Sequence, residues 1–236
     1  MQKTYFQVLP NLIEIQWPKA ISDEILFDQL SWKTFLMENH ADIILEIRIG
    51  FNSLSILFDK SISEDEWIII WQTLNNFNFS QSSFYSNTWK IPVCYGGNFG
   101  LDLKKLSEEK HISEMDIIDL HIRKTYRLHF YGFLPGFMYL GGLDPLLAHP
   151  RKPIPDRIIQ NGAVAIGGNQ TGIYPMESPG GWHVIGRTPL KLFDSKSQDP
   201  VIPKQGDLII FNKIDQIEFD HIANLVSLGQ YSWENA

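Results

Sequence analysis

The chain has 236 residues, 44% of them hydrophobic and 20% charged, an ordinary composition for a soluble globular protein with a buried core. Its net charge of −7 and the lack of a basic patch exclude nucleic acid as the expected partner. A single cysteine, Cys94, rules out an internal disulfide, no CxxC or HExxH spacing points to a metal, and no apolar run approaches a membrane span. The opening MQKTYFQVLPNLIEIQW lacks the basic region and apolar core of a secretory signal, so a cytoplasmic location with no membrane contact is expected.

In chain order, Leu12, Ile13 and Ile15 suggest a strand. Ser22 is placed to cap a helix with Asp23 and Glu24 in its first turn, where acids suit the helix dipole. Leu26, Leu30 and Met37 supply that helix with an apolar stripe. The run IILEIRI over 43–49 is rich in β-branched residues, and Leu54, Ile56 and Phe58 alternate as a half-buried strand should. Ser63 and Glu66 form a capping box ahead of the helix WIIIWQTLNNF. After the Ser/Asn-rich stretch NFSQSSFYSN (78–87), WKIPVC over 89–94 is extended. The order β-α-β-β-α-β is the ferredoxin-like pattern. The boundary falls near 80–90, giving parts over 1–86 and 87–236.

The second part changes character. Ser113 caps a short helix carrying Met115, Ile118 and Ile122 on one face. Tyr126, Leu128 and Phe130 then alternate with Arg127, His129 and Tyr131. From there Gly and Pro separate short apolar pieces at 164–166, 182–185, 190–193 and 207–211, the signature of a β-barrel or sandwich. The whole is expected to be an α+β protein.

Four clusters suggest chemistry. They are CYGGNFGLDL (94–103) with Asp102, His121 at the end of the short helix, FYGFLPGFMYLGGL (130–143) with Phe137, and the loop GGNQTGIYPMESPGGWHVIGRT (167–188). Taken singly each has an ordinary explanation: glycines serve turns and close packing, a histidine can be a hydrogen-bonded core residue, and Trp182 can be core. Arg187, which follows a glycine and lies between Ile185-Gly186 and Thr188-Pro189, either pairs with an internal carboxylate or reads an anion. Backbone N–H groups freed by glycine can cradle phosphate or carboxylate oxygens, although no Walker-type loop is present. The residues together point to a pocket with His, Arg, Tyr, Gln and backbone donors.

At IPVCYGGNFGLDL, His121, GFLPGFMYLGGLD, AVAIGGNQTGIYPMESPGGWHVIGRTPLKLFD and QGDLIIF the chain closely resembles the B-subunit family of the bacterial ATP-dependent 5-oxoprolinase. That family includes the Kip inhibitor of a Bacillus sensor kinase and is similar to part of allophanate hydrolase and urea amidolyase. The likeness runs from about residue 5 to 230. It implies a C-terminal cyclophilin-like barrel, a partner C subunit of the biotin-dependent carboxyltransferase-like type and a further A subunit. The implied reaction is ring opening of 5-oxo-L-proline to L-glutamate, driven by ATP with magnesium. The chain departs from the family at Asn98, where an acid is common, and at Pro155-Asp156, where a second Pro-Arg pair is usual.

On that resemblance, Arg187 is expected to hold a phosphate or the substrate carboxylate and His121 to transfer protons. Asp102 would orient His121, or bind ATP with magnesium. Gln170 and the backbone of Gly167 and Gly168 would bind the lactam or an oxyanion. Tyr174, Trp182 and Phe137 complete the substrate-binding set. The alternatives are inhibition of a sensor histidine kinase, which needs a surface rather than a catalytic pocket, and a urea- or allophanate-pathway component.

Overall fold

Alternation decides the first sheet. In β2 (Leu12–Gln16) and β4 (Ser53–Phe58) every second side chain is large and apolar, so Ile13, Ile15, Leu54, Ile56 and Phe58 share one almost fully buried face. The computed structural model describes residues 2–76 and 86–236, divided between a first unit, Met1–Tyr85, and a second, Ser86–Ala236. In the first, β1 (Thr4–Leu9) and β3 (Ile44–Ile49) flank β2 and β4 in the antiparallel order β1-β2-β4-β3.

Two helices cover the apolar face. Ser22 caps α1 (Asp23–Asn39) by accepting from the Glu24 N–H at 3.2 Å. Trp32 and Leu36 of α1 are fully buried, whereas Met37, one residue or about 100° further round, is exposed rather than part of the stripe. The expected capping box opens α2 (Glu64–Asn76): Glu66 accepts from the Ser63 N–H at 2.8 Å and donates its own N–H to Ser63 Oγ at 3.3 Å. Trp32 meets Trp71 edge-on at 5.3 Å, and Tyr5 meets Trp67 at 5.6 Å, so an aromatic layer ties both helices to β1.

The second unit is a closed seven-stranded barrel. Its strands are β5 (Thr88–Tyr95), β6 (Thr125–Tyr131), β7 (Met138–Gly141), β9 (Ala163–Gly167), β10 (Gln170–Ile173), β12 (His183–Arg187) and β13 (Leu208–Ile214). They run in the order β12-β9-β10-β7-β6-β13-β5, and β5 returns to β12 through Gly186 opposite Tyr95 and Arg187 opposite Cys94. The pairing of β5 with β13 is parallel; the other neighbours are antiparallel. A ribbon of β8 (Asp156–Ile159) and β11 (Ser178–Gly180) stands outside the barrel, and β14 (Glu234–Asn235) adds to the first half of β5. Helices α3 (Leu103–Lys110) and α4 (Glu114–Ile122) connect β5 to β6, and α5 (Gln216–Ser227) follows β13. Val93, Leu128, Leu140, Ile166, Ile185 and Phe211 fill the interior.

The buried carboxylate of Asp207 fixes the start of the parallel pair. It accepts from the Asn87 N–H at 3.0 Å, the Trp89 indole at 2.8 Å and the Lys204 N–H at 2.8 Å, so a group that would be costly to bury alone is fully satisfied.

The mixed α/β class and the barrel match expectation, with three differences. The strand over 89–94, read as the sixth element of the first part, lies in the barrel as β5; in the first unit β1 takes the place beside β2. The apolar run 190–193 forms no ladder: it follows Pro189, and Leu190 and Leu192 enter the core from an irregular segment. Met115 is exposed instead of sharing the buried face of Ile118. The stretch 78–87 lies, up to residue 85, outside the described residues.

Trp32→Ala is expected to destabilise the first unit by about 3–5 kcal/mol, as for other buried large-to-small changes. Hydrogen exchange should then accelerate at the amides of β2 and β4 and stay unchanged in β5 and β13.

Candidate functional site

Missing side chains make the site possible. A Cβ on Gly167 of β9 or on Gly172 of β10 would run into the indole of Trp182, and one on Gly180 would run into the Tyr174 phenol. The glycines therefore let these rings lie directly on sheet and ribbon backbone. Phe137 stands edge-on to both, 4.8 Å from Tyr174 and 5.6 Å from Trp182, and Tyr139 meets Trp182 at 5.7 Å. Phe133 closes the group at 5.7 Å from Phe137 with φ 63°, a left-handed conformation that costs a non-glycine residue about 1–2 kcal/mol. Burial pushes the Tyr174 hydroxyl up to about 12, although the neighbouring Trp182 backbone N–H opposes the shift.

These rings wall a mainly apolar cavity of about 490 Å³, within the range of small-molecule sites. Arg151 and Lys152 stand at its rim. The Arg151 guanidinium carbon lies 5.3 Å from the Trp182 ring centroid, a cation–π contact, and no carboxylate among the described residues pairs with it. Lys152 is committed: its ammonium donates to Asp102 at 2.7 Å and to Asp156 at 2.5 Å. Burial alone would lower its pKa, but the two carboxylates outweigh it and hold the ammonium charged.

Asp102 acts on β12. Its carboxylate accepts the Val184 N–H at 2.7 Å, and its own N–H donates to the Val184 carbonyl at 2.9 Å. This is where the β12–β9 register slips between Val184 and Gly186. The Gly96 N–H caps the displaced Ile185 carbonyl at 3.1 Å, and a side chain on Gly100 would strike that same oxygen. The CYGGNFGLDL motif is thus a clamp on a β-bulge. The orienting role expected for Asp102 does not fit, because its carboxylate serves Lys152 and Val184 rather than His121. The same commitment argues against Asp102 as a ligand of magnesium or ATP.

His121 lies in the barrel interior, fully buried and stacked on Phe211 at 4.6 Å. Thr171 donates its hydroxyl hydrogen to the Ala165 carbonyl at 3.0 Å, so it accepts from His121 Nε2–H at 3.0 Å. Nδ1 then accepts from the Tyr95 hydroxyl at 2.8 Å. Burial lowers the imidazole pKa to about 3. With both nitrogens occupied and the ring held neutral, the expected proton-transfer role does not fit; His121 is a core histidine.

Of the other expected residues, Phe137, Tyr174 and Trp182 come together in the cavity, and Gly167 backs it. The Gly168 N–H is spent on the His149 carbonyl at 2.7 Å, which removes it as an oxyanion donor. Gln170 is buried opposite Gly167, with no hydrogen-bond partner for its Nε2 among the described residues. Arg187, at the end of β12, donates from Nε to the Asn161 carbonyl at 2.7 Å and sits 5.8 Å from the Phe219 ring; it does not line the cavity. Sequence reasoning missed Phe133, Tyr139, Arg151 and Lys152. Their signals were the FLPGF and Pro-Arg strings, which carry no periodicity.

The family model for the carboxyltransferase domain, subdomain C and D, matches residues 5–203. The chain belongs to that family. Among family relatives, the 5-oxoprolinase B subunit of Escherichia coli O157:H7 is 33% identical over 204 residues, 85% of this chain and 90% of the relative. The protein of the same name from Bacillus subtilis is 42% identical over 130 residues, 55% of this chain and 54% of the relative, so that match spans about half its length. The structure of Kluyveromyces lactis urea amidolyase superposes with a TM-score of 0.81 at 19% identity, over 99% of this chain and 16% of that one, a likeness of fold. Among the described residues, no helix is long and apolar enough to cross a membrane, and no group of three or more His, Cys, Asp and Glu side chains could hold a metal ion.

Two outcomes are expected. Asp102→Ala should lower stability by about 2–3 kcal/mol, because it strips a charged partner from Lys152 and leaves the Val184 N–H unsatisfied. Faster hydrogen exchange at Val184 is the check. Since His121 has a folded pKa below its unfolded value of 6.5, its contribution is intact above pH 6.5 and lost as pH falls toward about 3. Urea unfolding should show a slope approaching ~1.4 kcal/mol per pH unit across that window, which His121→Gln should flatten.

Proposed function

We propose that the chain is the B subunit of an ATP-dependent 5-oxoprolinase, a non-autonomous component that works with a carboxyltransferase-like C subunit and with an A subunit. The complex would open 5-oxo-L-proline to L-glutamate in the cytoplasm. The observation that carries this reading is the identity to relatives of that name across most of the chain. The aromatic cavity supports it by supplying a place for a small ring. We also read the seven-stranded barrel as cyclophilin-like. The first unit is read as a ferredoxin-like layer whose strand beside β2 comes from the N-terminal side, in keeping with the order β1-β2-β4-β3.

A lactam is a poor electrophile. Transfer of a phosphoryl group from ATP, with magnesium, to the lactam oxygen would create a leaving group. Water then adds at the ring carbon and the ring C–N bond breaks, the nitrogen leaving as the free amine; a second water hydrolyses the resulting acyl phosphate, releasing phosphate and the carboxylate of L-glutamate. Such transfer depends on positioning and charge neutralisation. This chain's part is to hold the ring against Trp182, Phe137 and Tyr174. Gln170, whose amide N–H lacks a protein partner among the described residues, remains a candidate donor to a ligand oxygen. Arg187, from its residue type and motif position, remains a candidate phosphate holder outside the cavity. No step through ATP is assigned to Asp102 or His121. The kinase-inhibitor alternative draws no support from the names of the relatives, and the urea amidolyase likeness is one of fold.

The test is oxoproline-dependent phosphate release from ATP by this chain alone, with its cognate C subunit, and with the A and C subunits together. Release in the complete set alone is expected. Absence of release from every mixture of folded proteins overturns the proposal.

A further inference from the structure

We infer that Arg151 is the anion-recognition residue of the aromatic cavity, and that the cavity takes a small flat ring carrying one carboxylate. The identity of that ring as 5-oxoproline rests on the oxoprolinase reading; the site itself does not.

Three observations converge. The first is charge. Two cations stand at the rim, but Lys152 is neutralised by Asp102 and Asp156, while Arg151 has no carboxylate partner among the described residues. An incoming anion therefore meets one available guanidinium, whose planar fork suits a carboxylate. The second is geometry. The contact with Trp182 holds the Arg151 head over the cavity mouth, and its charge acts on the Tyr139 and Tyr174 hydroxyls within. The third is the lining. Phe137, Tyr139, Tyr174 and Trp182 present ring faces and edges, which pack best against another flat ring. The Tyr139 hydroxyl, which burial holds protonated, makes no hydrogen bond to protein among the described residues and can serve a polar ring edge.

The same features set limits. A polyphosphate brings several charges to a rim with one free cation among the described residues, and an uncharged lactam leaves that cation unused. The expected ligand is thus a monoanion with the charge at one end and a flat ring at the other. Arg151 is exposed, so its replacement leaves the packing of the barrel untouched.

The inference is tested by calorimetric titration of the chain, alone and with its cognate A and C subunits. The probes are 5-oxo-L-proline, pyrrole-2-carboxylate and the uncharged lactam pyrrolidin-2-one. Wild type, Arg151→Gln, Arg151→Lys and the control Arg157→Gln are compared. Both acids are expected to bind wild type and Arg157→Gln alike, and to lose about ten- to a hundredfold in affinity with Arg151→Gln, the range for a charged hydrogen bond. Arg151→Lys should recover part of the loss, and pyrrolidin-2-one should not distinguish the proteins. Acid binding that is unchanged in Arg151→Gln, or absent from every mixture, overturns the inference. Phosphate release by the complete set separates the two proposals. Oxoproline-dependent release that is indifferent to Arg151→Gln overturns this inference and leaves the oxoprolinase reading standing. Arg151-dependent binding of pyrrole-2-carboxylate without oxoproline-dependent release does the reverse.

Discussion

The carboxylate of Asp102 holds a β-bulge and a lysine at once, and the geometry of the cavity follows from that double duty. A bulge in β12 leaves backbone groups outside the ladder, and buried backbone groups without partners are costly. Asp102 answers with both its side chain and its own N–H at Val184, and Gly96 covers the next carbonyl. Trp182, two residues before Val184, is thereby set against the glycines of β9 and β10. Through Lys152 the same carboxylate tethers the segment that carries Arg151. Floor and rim are positioned by one residue that touches neither the ring stack nor the guanidinium above it.

The cavity inverts the usual logic of a core. Elsewhere in the barrel large side chains fill space between strands. Here absent side chains on Gly167, Gly172 and Gly180 admit rings to the backbone, and the rings then stand edge-on to one another around a void. The left-handed Phe133 belongs to the same economy of space, since its strained backbone turns a large ring toward Phe137.

How far the sequence disclosed this depends on the physics involved. Strands such as β2 and β4 were legible because alternation is a direct imprint of one buried face, and α1 and α2 because Ser22, Ser63 and Glu66 are local caps. The strand β1 was not, since Phe6, Val8 and Leu9 are exposed and give no alternation. The assignment of 89–94 to the barrel was hidden because strand partners are settled by pairings remote in sequence. In the site, Trp182, Tyr174 and Phe137 stood out as aromatics among glycines. Arg151 did not, because what singles it out is the lack of a carboxylate nearby, a property of the fold. His121 and Asp102 attracted chemical roles by residue type. Burial and bonding decide otherwise, and neither can be read from a string.

The parallel pair at the heart of the barrel has a consequence for how the protein is made. β5 opens the second unit, yet its pairing partner β13 lies about 120 residues later, beginning with Thr88 opposite Leu208. During synthesis the strands and helices of the first unit all precede β5, whereas the partner that pairs along most of β5 follows only about 120 residues later. The parallel pair can form only once β13 is present, and Asp207 then locks its start. Folding of the barrel is accordingly slow by topology, because a long loop must be closed before its contacts reward it.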